Sequence, residues 1–207
     1  MTEAESVALR RGVEALMARF ETEPVHVLHV RDLALALFDA LGPARGLDAE
    51  DRAVLDAAAS LHDIGWFVTQ PDGRGHHRET ARLIREHTWP GLRRETVEFV
   101  ALVARYHRKA IPSEKAHDEF AALPAMARGR VRWLAGILRV ADGLDRRHIQ
   151  AVTAVLATQV GRVIRITVSG VDALTTEVAG ALKKVDLLEE ISGCGVEITA
   201  RDCPKHS

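Results

Sequence analysis

The apolar residues of the first 148 residues recur at helical spacing, and this periodicity limits the fold more than any other feature. Segments such as "EPVHVLHVRDLALALFDALG" repeat an apolar position every three or four residues and end at glycine. Each such stripe has to be buried against another helix, so a succession of them is typical of a helical bundle. The sequence therefore predicts a mainly α fold for residues 1–148.

Capping residues and breakers set the ends of the predicted helices. Pro24 begins the second helix, Asp48 is the expected N-cap of the third, and Gly65 is its expected C-terminal break. The predicted helices cover residues 5–20, 24–41, 49–64, 76–87, 92–108 and 126–147.

The pattern changes after about residue 150. "RVIRITV" alternates with a period of two and is rich in β-branched residues, which is typical of a strand. "AVTAVLAT" and "GVEITA" are further candidate strands, and "VDALTTEVAGALKKVDLL" is predicted to be one helix. We therefore expect two domains, a helical one over 1–148 and a small α/β (β-β-α-β) appendage over 149–207.

Composition excludes several kinds of partner and compartment. The 28 lysines and arginines nearly balance the 29 aspartates and glutamates, so no global field favours nucleic acid or a membrane surface. The only cysteines are Cys194 and Cys203, and the N-terminal residues contain no apolar signal core. The sequence predicts a cytoplasmic protein without a membrane or specific nucleic acid as partner.

Histidine and aspartate interrupt the apolar stripes at three places. His26 extends the stripe of the second helix, with His29 about 60° away as a possible substitute. The pair His62–Asp63 follows an alanine- and leucine-rich run, and Asp142 continues the stripe of the last helix. A buried carboxylate is costly unless a partner or an ion offsets the lost hydration. Two interpretations stay open: a divalent metal site, or a buried His–Asp hydrogen bond with unrelated polar neighbours.

Ordered motifs add a family resemblance. His26, the "HD" of residues 62–63 and the "ADGLD" that contains Asp142 resemble the H…HD…D signature of the HD superfamily of metal-dependent phosphohydrolases. The chain also resembles the C-terminal HD-type domain of the exopolyphosphatase/guanosine pentaphosphatase family, over roughly residues 20–200. That likeness rests on five blocks in order: "HVRDLALALFDAL", "LHDIGWFV", "GHHRETARLI", "ARYHRKAIP" and "LAGILRVADGLDRRHIQ".

The resemblance implies a site and a cofactor. It implies that His26, His62, Asp63 and Asp142 hold a divalent ion (Mn²⁺, Mg²⁺, Fe²⁺, Co²⁺ or Ni²⁺), which polarises a phosphoryl oxygen and acidifies water. Asp63 is thus the first catalytic candidate. The candidates for a second metal or for proton transfer are His76, His77 and His107, and His107 is the second catalytic candidate.

Two departures from the family qualify what is carried over. The actin-like module to which the resemblance assigns polyphosphate cleavage has no counterpart within these 207 residues. The family's "HHKHS" block reads "HHRET" here, so Glu79 and Thr80 replace a histidine and a serine. Glu79 keeps an oxygen ligand available, while a second metal site loses one histidine.

Arginines near the motifs suggest phosphate binding. Arg108 and Arg139 flank the motif residues, and guanidinium forks match phosphate oxygens. We expect a stand-alone metal-dependent phosphohydrolase acting on a phosphorylated small molecule, a nucleotide or phosphoanhydride, with a homodimer left open. The alternative is a non-catalytic nucleotide- or polyphosphate-binding or regulatory module that partners an actin-like phosphatase domain.

Overall fold

The computed structural model describes residues 1–171 and 173–201, so Asp172 and residues 202–207, with Cys203, lie outside the described part. The helices in this part are α1 (Glu3–Phe20), α2 (Pro24–Leu41), α3 (Ala49–Leu61), α4 (Trp66–Thr69), α5 (His76–Glu86), α6 (Arg94–Arg105), α7 (Asp118–Ala121), α8 (Ala125–Gly143), α9 (Thr175–Leu182) and α10 (Asp186–Ser192). A 3₁₀ turn covers Pro43–Arg45, and the strands are β1 (Val152–Val160), β2 (Val163–Gly170) and β3 (Gly195–Ala200). None of the helices in the described part is long and apolar enough to cross a membrane.

The bundle is built around α8. Every residue from Trp133 to Ala141 is buried, as expected of a helix with neighbours on all sides. α2 packs against α3 and α8, and α3 and α5 pack against α6. Capping boxes begin α1 at Thr2 and α3 at Asp48, so the predicted Asp48 N-cap is confirmed.

The helix before the His62–Asp63 pair ends earlier than predicted. α3 ends at Leu61, so the expected break at Gly65 is wrong. The helix ends early because the turn that follows, residues 62–65, is hydrogen-bonded to α5. The Thr80 hydroxyl donates to the His62 carbonyl at 2.9 Å and accepts from the Gly65 N–H at 3.0 Å. A Cβ at Gly65 would lie 2.1 Å from the His76 carbonyl oxygen, so only glycine lets α5 approach this closely. The turn thus presents two adjacent polar side chains to the interior.

The helix before His107 is also shorter than predicted. α6 ends at Arg105, not at residue 108, and His107 lies in the turn that follows. Its Nδ1 lies 2.7 Å from the Ala104 carbonyl oxygen and its backbone N–H donates to the same oxygen at 3.4 Å. This local capping ends the helix and fixes the ring.

The C-terminal part contains a three-stranded sheet of order β1-β2-β3. β1 and β2 are antiparallel with Val155 opposite Val168, and β3 runs parallel to β2 with Ile164 opposite Val196. The predicted single helix between β2 and β3 is wrong: the segment forms α9 and α10, with a break around Lys184. The topology is therefore β-β-α-α-β.

Close backbone contacts dock the appendage on the bundle. A Cβ at Gly143 of α8 would lie 2.5 Å from the Ala181 Cα, and one at Gly136 would lie 3.3 Å from the Leu188 Cα. Glycine therefore lets α8 lie directly against α9 and α10. The predicted mainly α fold with a small C-terminal α/β appendage is confirmed. The division into two domains at residue 148 stays a prediction, since the buried apolar residues form one cluster through both parts.

Candidate metal centre

Side chains from five segments of the bundle meet at Asp63. His26 comes from the first turn of α2, and His62 and Asp63 come from the turn after α3. The remaining members come from α5, from the turn after α6 and from α8: His76, His107 and Asp142. The four imidazoles are buried, while the Asp63 side chain keeps 14% of its surface exposed to a cleft. The arrangement is a mixed nitrogen and oxygen donor set that solvent reaches only at the carboxylates.

One oxygen of Asp63 faces the histidines predicted to bind a metal. Its Oδ2 lies 3.7 Å from His62 Nε2 and 3.9 Å from His26 Nε2. These three residues form the first group, whose donor atoms all lie within 4.8 Å of one another. On this side Asp142 Oδ1 lies 3.8 Å from His26 Nε2. The structure therefore brings together all four predicted ligands of the first ion.

The other oxygen of Asp63 faces a second pair of histidines. Its Oδ1 lies 3.2 Å from His76 Nε2 and 3.5 Å from His107 Nε2. The two Nε2 atoms are themselves 3.4 Å apart. Asp63, His76 and His107 form the second group, again with donor atoms within 4.8 Å. Asp63 is thus the shared member of two adjacent groups of potential ligands.

The far nitrogen of each imidazole is hydrogen-bonded to an acceptor. Nδ1 of His62 and His107 each lie 2.7 Å from a backbone carbonyl oxygen, and Nδ1 of His76 lies 2.9 Å from one. Nδ1 of His26 lies 2.8 Å from Asp145 Oδ2. Because a carbonyl or carboxylate oxygen only accepts, each Nδ1 carries a proton, and each Nε2 is directed at the Asp63 carboxylate. This orientation is the usual one for histidines that bind a metal.

Two of these Nε2 atoms have no hydrogen-bond partner in the described part of the chain. His26 Nε2 and His62 Nε2 are both buried and make no hydrogen bond there. Leaving a buried polar nitrogen unpaired costs about 1–3 kcal/mol. A divalent ion between them and Asp63 would satisfy both atoms, so the residues present fit the metal that the resemblance implies.

The electrostatics keep the Asp63 carboxylate charged and the His107 imidazole neutral. Burial raises the pKa of Asp63, but the neighbouring imidazoles, His62 first, outweigh burial and hold that pKa well below its usual range. Burial, followed by the charge of His62, lowers the pKa of His107 well below its usual range. A neutral His107 has a lone pair on Nε2 that suits metal binding.

Asp142 is shared between the first group and a cation. Its Oδ2 accepts a hydrogen bond from the Lys184 ammonium, which comes from the break between α9 and α10. Burial raises the pKa of Asp142, but Lys184 and then His107 outweigh burial, so the pKa is lowered. Asp142 therefore has one oxygen bonded to Lys184 and only the other directed at His26.

Two residues in contact with His26, Asp145 and His148, carry no predicted role. Asp145 is fully buried and also accepts from the Gln150 N–H at 2.8 Å, so it is a fixed acceptor for the imidazole. His148 stacks on His26 with ring centroids 3.6 Å apart. Asp145 follows Asp142 by almost one helical turn, and this spacing was the available sequence signal.

A further carboxylate, half-buried, lies beside the site. Glu21 Oε2 has no hydrogen-bond partner in the described part, and burial raises the pKa of this group. Glu21 and Asp63 line a separate small cavity of about 260 Å³. Sequence reasoning missed Glu21 because it lies in the turn between α1 and α2, outside any apolar stripe.

A cleft of about 760 Å³ opens onto the site between the bundle and the appendage. Arg108 lines it, and its Nη1 lies 3.3 Å from His76 Nε2. Arg139 also lines it, but its guanidinium makes a bidentate pair with Asp186 at 3.0 Å and donates to the carbonyl oxygens of Tyr106 and Lys109. Arg108 is therefore placed to meet a ligand, whereas Arg139 joins α8 to α10.

Two candidates for the second metal lie elsewhere. His77 is half-buried, its ring is edge-on to that of His76 at 6.0 Å, and it belongs to neither group of ligands within the described residues. Burial, with His76 and Arg108, lowers the pKa of His77 to about 4. Glu79 pairs with Arg82 at 2.8 Å on the outer face of α5. His107, placed in the turn after α6, occupies the position beside His76.

Comparison with known protein families agrees with the resemblance. Residues 9–191 match the family model described as Ppx/GppA phosphatase, domain III. The match runs from within α1 to within α10, so it includes both groups of ligands around Asp63 but not β3. The chain therefore belongs to the Ppx/GppA phosphatase domain III family.

Proposed function

We propose that the protein is a metal-dependent phosphohydrolase that acts on a phosphorylated small molecule at a centre where two groups of potential metal ligands share Asp63. The observation that carries this proposal is the orientation of four imidazoles around one carboxylate. Each Nδ1 is fixed by an acceptor and each Nε2 is aimed at Asp63. A buried hydrogen-bond network would pair those nitrogens, whereas His26 Nε2 and His62 Nε2 have no partner in the described part.

The donor set also favours particular ions. His26, His62 and Asp63, with Asp142 Oδ1 nearby, would hold one ion, and Asp63, His76 and His107 would hold the other. Four imidazoles favour Mn²⁺, Fe²⁺, Co²⁺ or Ni²⁺ over Mg²⁺, which prefers oxygen ligands and bound water. When bound, such ions polarise phosphoryl oxygens and acidify water.

The chain's own cations would bind the phosphate. Lys109, Arg146 and Lys183 line the cleft and have no ion-pair partner in the described residues. Several arginines elsewhere are paired, as in the bonds of Arg52 to Asp39 at 2.7 Å and 2.9 Å. Unpaired cations beside a buried carboxylate favour a polyanionic ligand, which would approach the site through this cleft.

A binding module is the second candidate function. The cationic cleft supports it directly, because binding a polyanion needs the cations and not the histidines. The matching family model describes one domain of a phosphatase, and this also supports a chain that works with a separate phosphatase domain. In that case the protein would bind a nucleotide or polyphosphate and release no phosphate from it.

Phosphate release by the purified protein separates the two functions. We expect release from nucleotides, phosphoanhydrides or simple esters that requires an added divalent ion and disappears in Asp63→Asn, which keeps the size but removes the shared charge. Asp72→Asn is the matched control, since Asp72 lies in an exposed turn and pairs with Arg74 at 3.1 Å. Tight binding without phosphate release from any of these compounds would favour the binding module.

A further inference from the structure

We propose that Lys184 is a positioning residue that competes with the metal for Asp142 and, once displaced, binds substrate phosphate in the cleft. This inference rests on the proposed function and assigns to the appendage a part in the metal centre. No side chain of the appendage belongs to either group of ligands in the described residues.

The Lys184 ammonium lies between the predicted metal ligand Asp142 and the cleft. Lys184 Nζ donates to Asp142 Oδ2, while Asp142 Oδ1 lies 3.8 Å from His26 Nε2. Lys184 also lines the cleft, and its side chain keeps 21% of its surface exposed. The ammonium is thus in contact with a metal ligand and within reach of the space where a phosphate would lie.

Competition follows from charge. A carboxylate that neutralises an ammonium attracts a divalent ion less strongly, and the two cations repel each other at this separation. Asp142 is also the one predicted ligand of the first ion that belongs to neither close group of three in the described residues. The ion should therefore bind with lower affinity while Lys184 holds Asp142. Binding of the ion should release the ammonium toward the cleft.

The break between α9 and α10 puts this lysine in place. The Lys184 backbone N–H donates to the Ala181 carbonyl oxygen at 2.8 Å, so the turn is closed locally. Ala181 packs against Gly143 of α8, one residue after Asp142. A continuous helix through this segment would place the side chain differently, so the break specifies the contact.

Lys183 provides a matched control. It has the same charge, the adjacent position and the same cleft, but no acidic partner in the described part of the chain. A general effect of removing one positive charge from the cleft should appear equally in Lys183→Gln and Lys184→Gln. Only the second substitution frees Asp142.

The test is calorimetric titration of metal-free protein with Mn²⁺. We expect Lys184→Gln to bind the ion about tenfold more tightly than wild type, and Lys183→Gln to stay within about twofold of wild type. Lys184→Met keeps the aliphatic stem and should also bind more tightly, while Lys184→Arg keeps the charge and should match wild type. Inorganic phosphate should then bind more weakly to Mn²⁺-loaded Lys184→Gln than to Mn²⁺-loaded Lys184→Arg, which keeps the charge.

The outcomes separate this inference from the proposed function. Equal Mn²⁺ affinity in Lys184→Gln and Lys183→Gln, or weaker affinity in Lys184→Gln, overturns the competition while leaving the phosphohydrolase intact. Tighter Mn²⁺ binding in Lys184→Gln without any phosphate release supports the competition and removes the catalytic proposal. Absence of Mn²⁺ binding in every variant removes both.

Discussion

The two sides of Asp63 differ in what surrounds their histidines. In the first group, Nε2 of His26 and His62 have no partner in the described part of the chain, and a second carboxylate lies nearby. In the second group, the Arg108 guanidinium approaches His76 Nε2 at 3.3 Å. Arg108 has no carboxylate partner in the described residues, whereas the Lys184 ammonium beside the first group is paired with Asp142. An unneutralised cation disfavours a second cation beside it, so the first group should hold its ion more tightly than the second. The second group, beside Arg108, is the one that would meet the substrate phosphate.

The largest effect is expected from breaking the first group. His62→Gln removes an Nε2 ligand, so the tighter ion should be lost together with phosphate release. In wild type at an ion concentration 100 times Kd, metal binding adds about 2.7 kcal/mol to the free energy of unfolding. That increment should vanish in the variant. Chemical denaturation of both proteins, with and without chelator, would measure it. His87→Gln, on the opposite end of α5, should keep the full increment; a chelator-insensitive wild type would argue against the metal.

Breaking the second group should have a smaller effect. His107→Gln should weaken the second ion by about 10- to 100-fold and leave the first ion bound, because only Asp63 is shared between the groups. Mn²⁺ titration would resolve one unchanged and one weakened site. Loss of both ions together would mean that the two groups form a single site.

Arg108→Ala should act on substrate and not on the ions. Without the guanidinium, KM should rise by about tenfold with a smaller change in kcat, provided that the arginine contacts phosphate equally in the ground and transition states. Steady-state kinetics on the best substrate would measure this. Arg74→Ala, in an exposed loop, serves as the control. A change in kcat with an unaltered KM would place the guanidinium in the transition state only.

The helical spacing of the apolar residues predicted where several side chains of this candidate site lie. His26 and Asp142 lie where the helical period places them, and the HD pair lies at the end of its helix. The ends of α3 and α6 were predicted wrongly because they depend on contacts between distant segments, such as the Thr80 hydroxyl on the His62–Asp63 turn. Lys184 and its contact with Asp142 could not be foreseen, since they depend on how the appendage docks against α8.

The smallest effect concerns His77, which belongs to neither group. Its pKa is lowered to about 4 from the usual 6.5, so the unfolded chain binds more protons than the folded chain between these values. The contribution of His77 to the free energy of unfolding is therefore fully present above pH 6.5 and is lost as the pH falls through 4. In His77→Gln the dependence of unfolding free energy on pH should be shallower in this window, with Mn²⁺ binding unchanged. An altered ion affinity in this variant would bring His77 into the site.

The most direct test of a centre bridged by Asp63 is the electron paramagnetic resonance spectrum of the Mn²⁺-loaded protein. Two ions that share one carboxylate interact magnetically, so we expect two Mn²⁺ per chain and a coupled spectrum, which Asp63→Asn abolishes. A spectrum of isolated Mn²⁺ at full occupancy, or a coupled spectrum that persists in Asp63→Asn, would contradict the bridge.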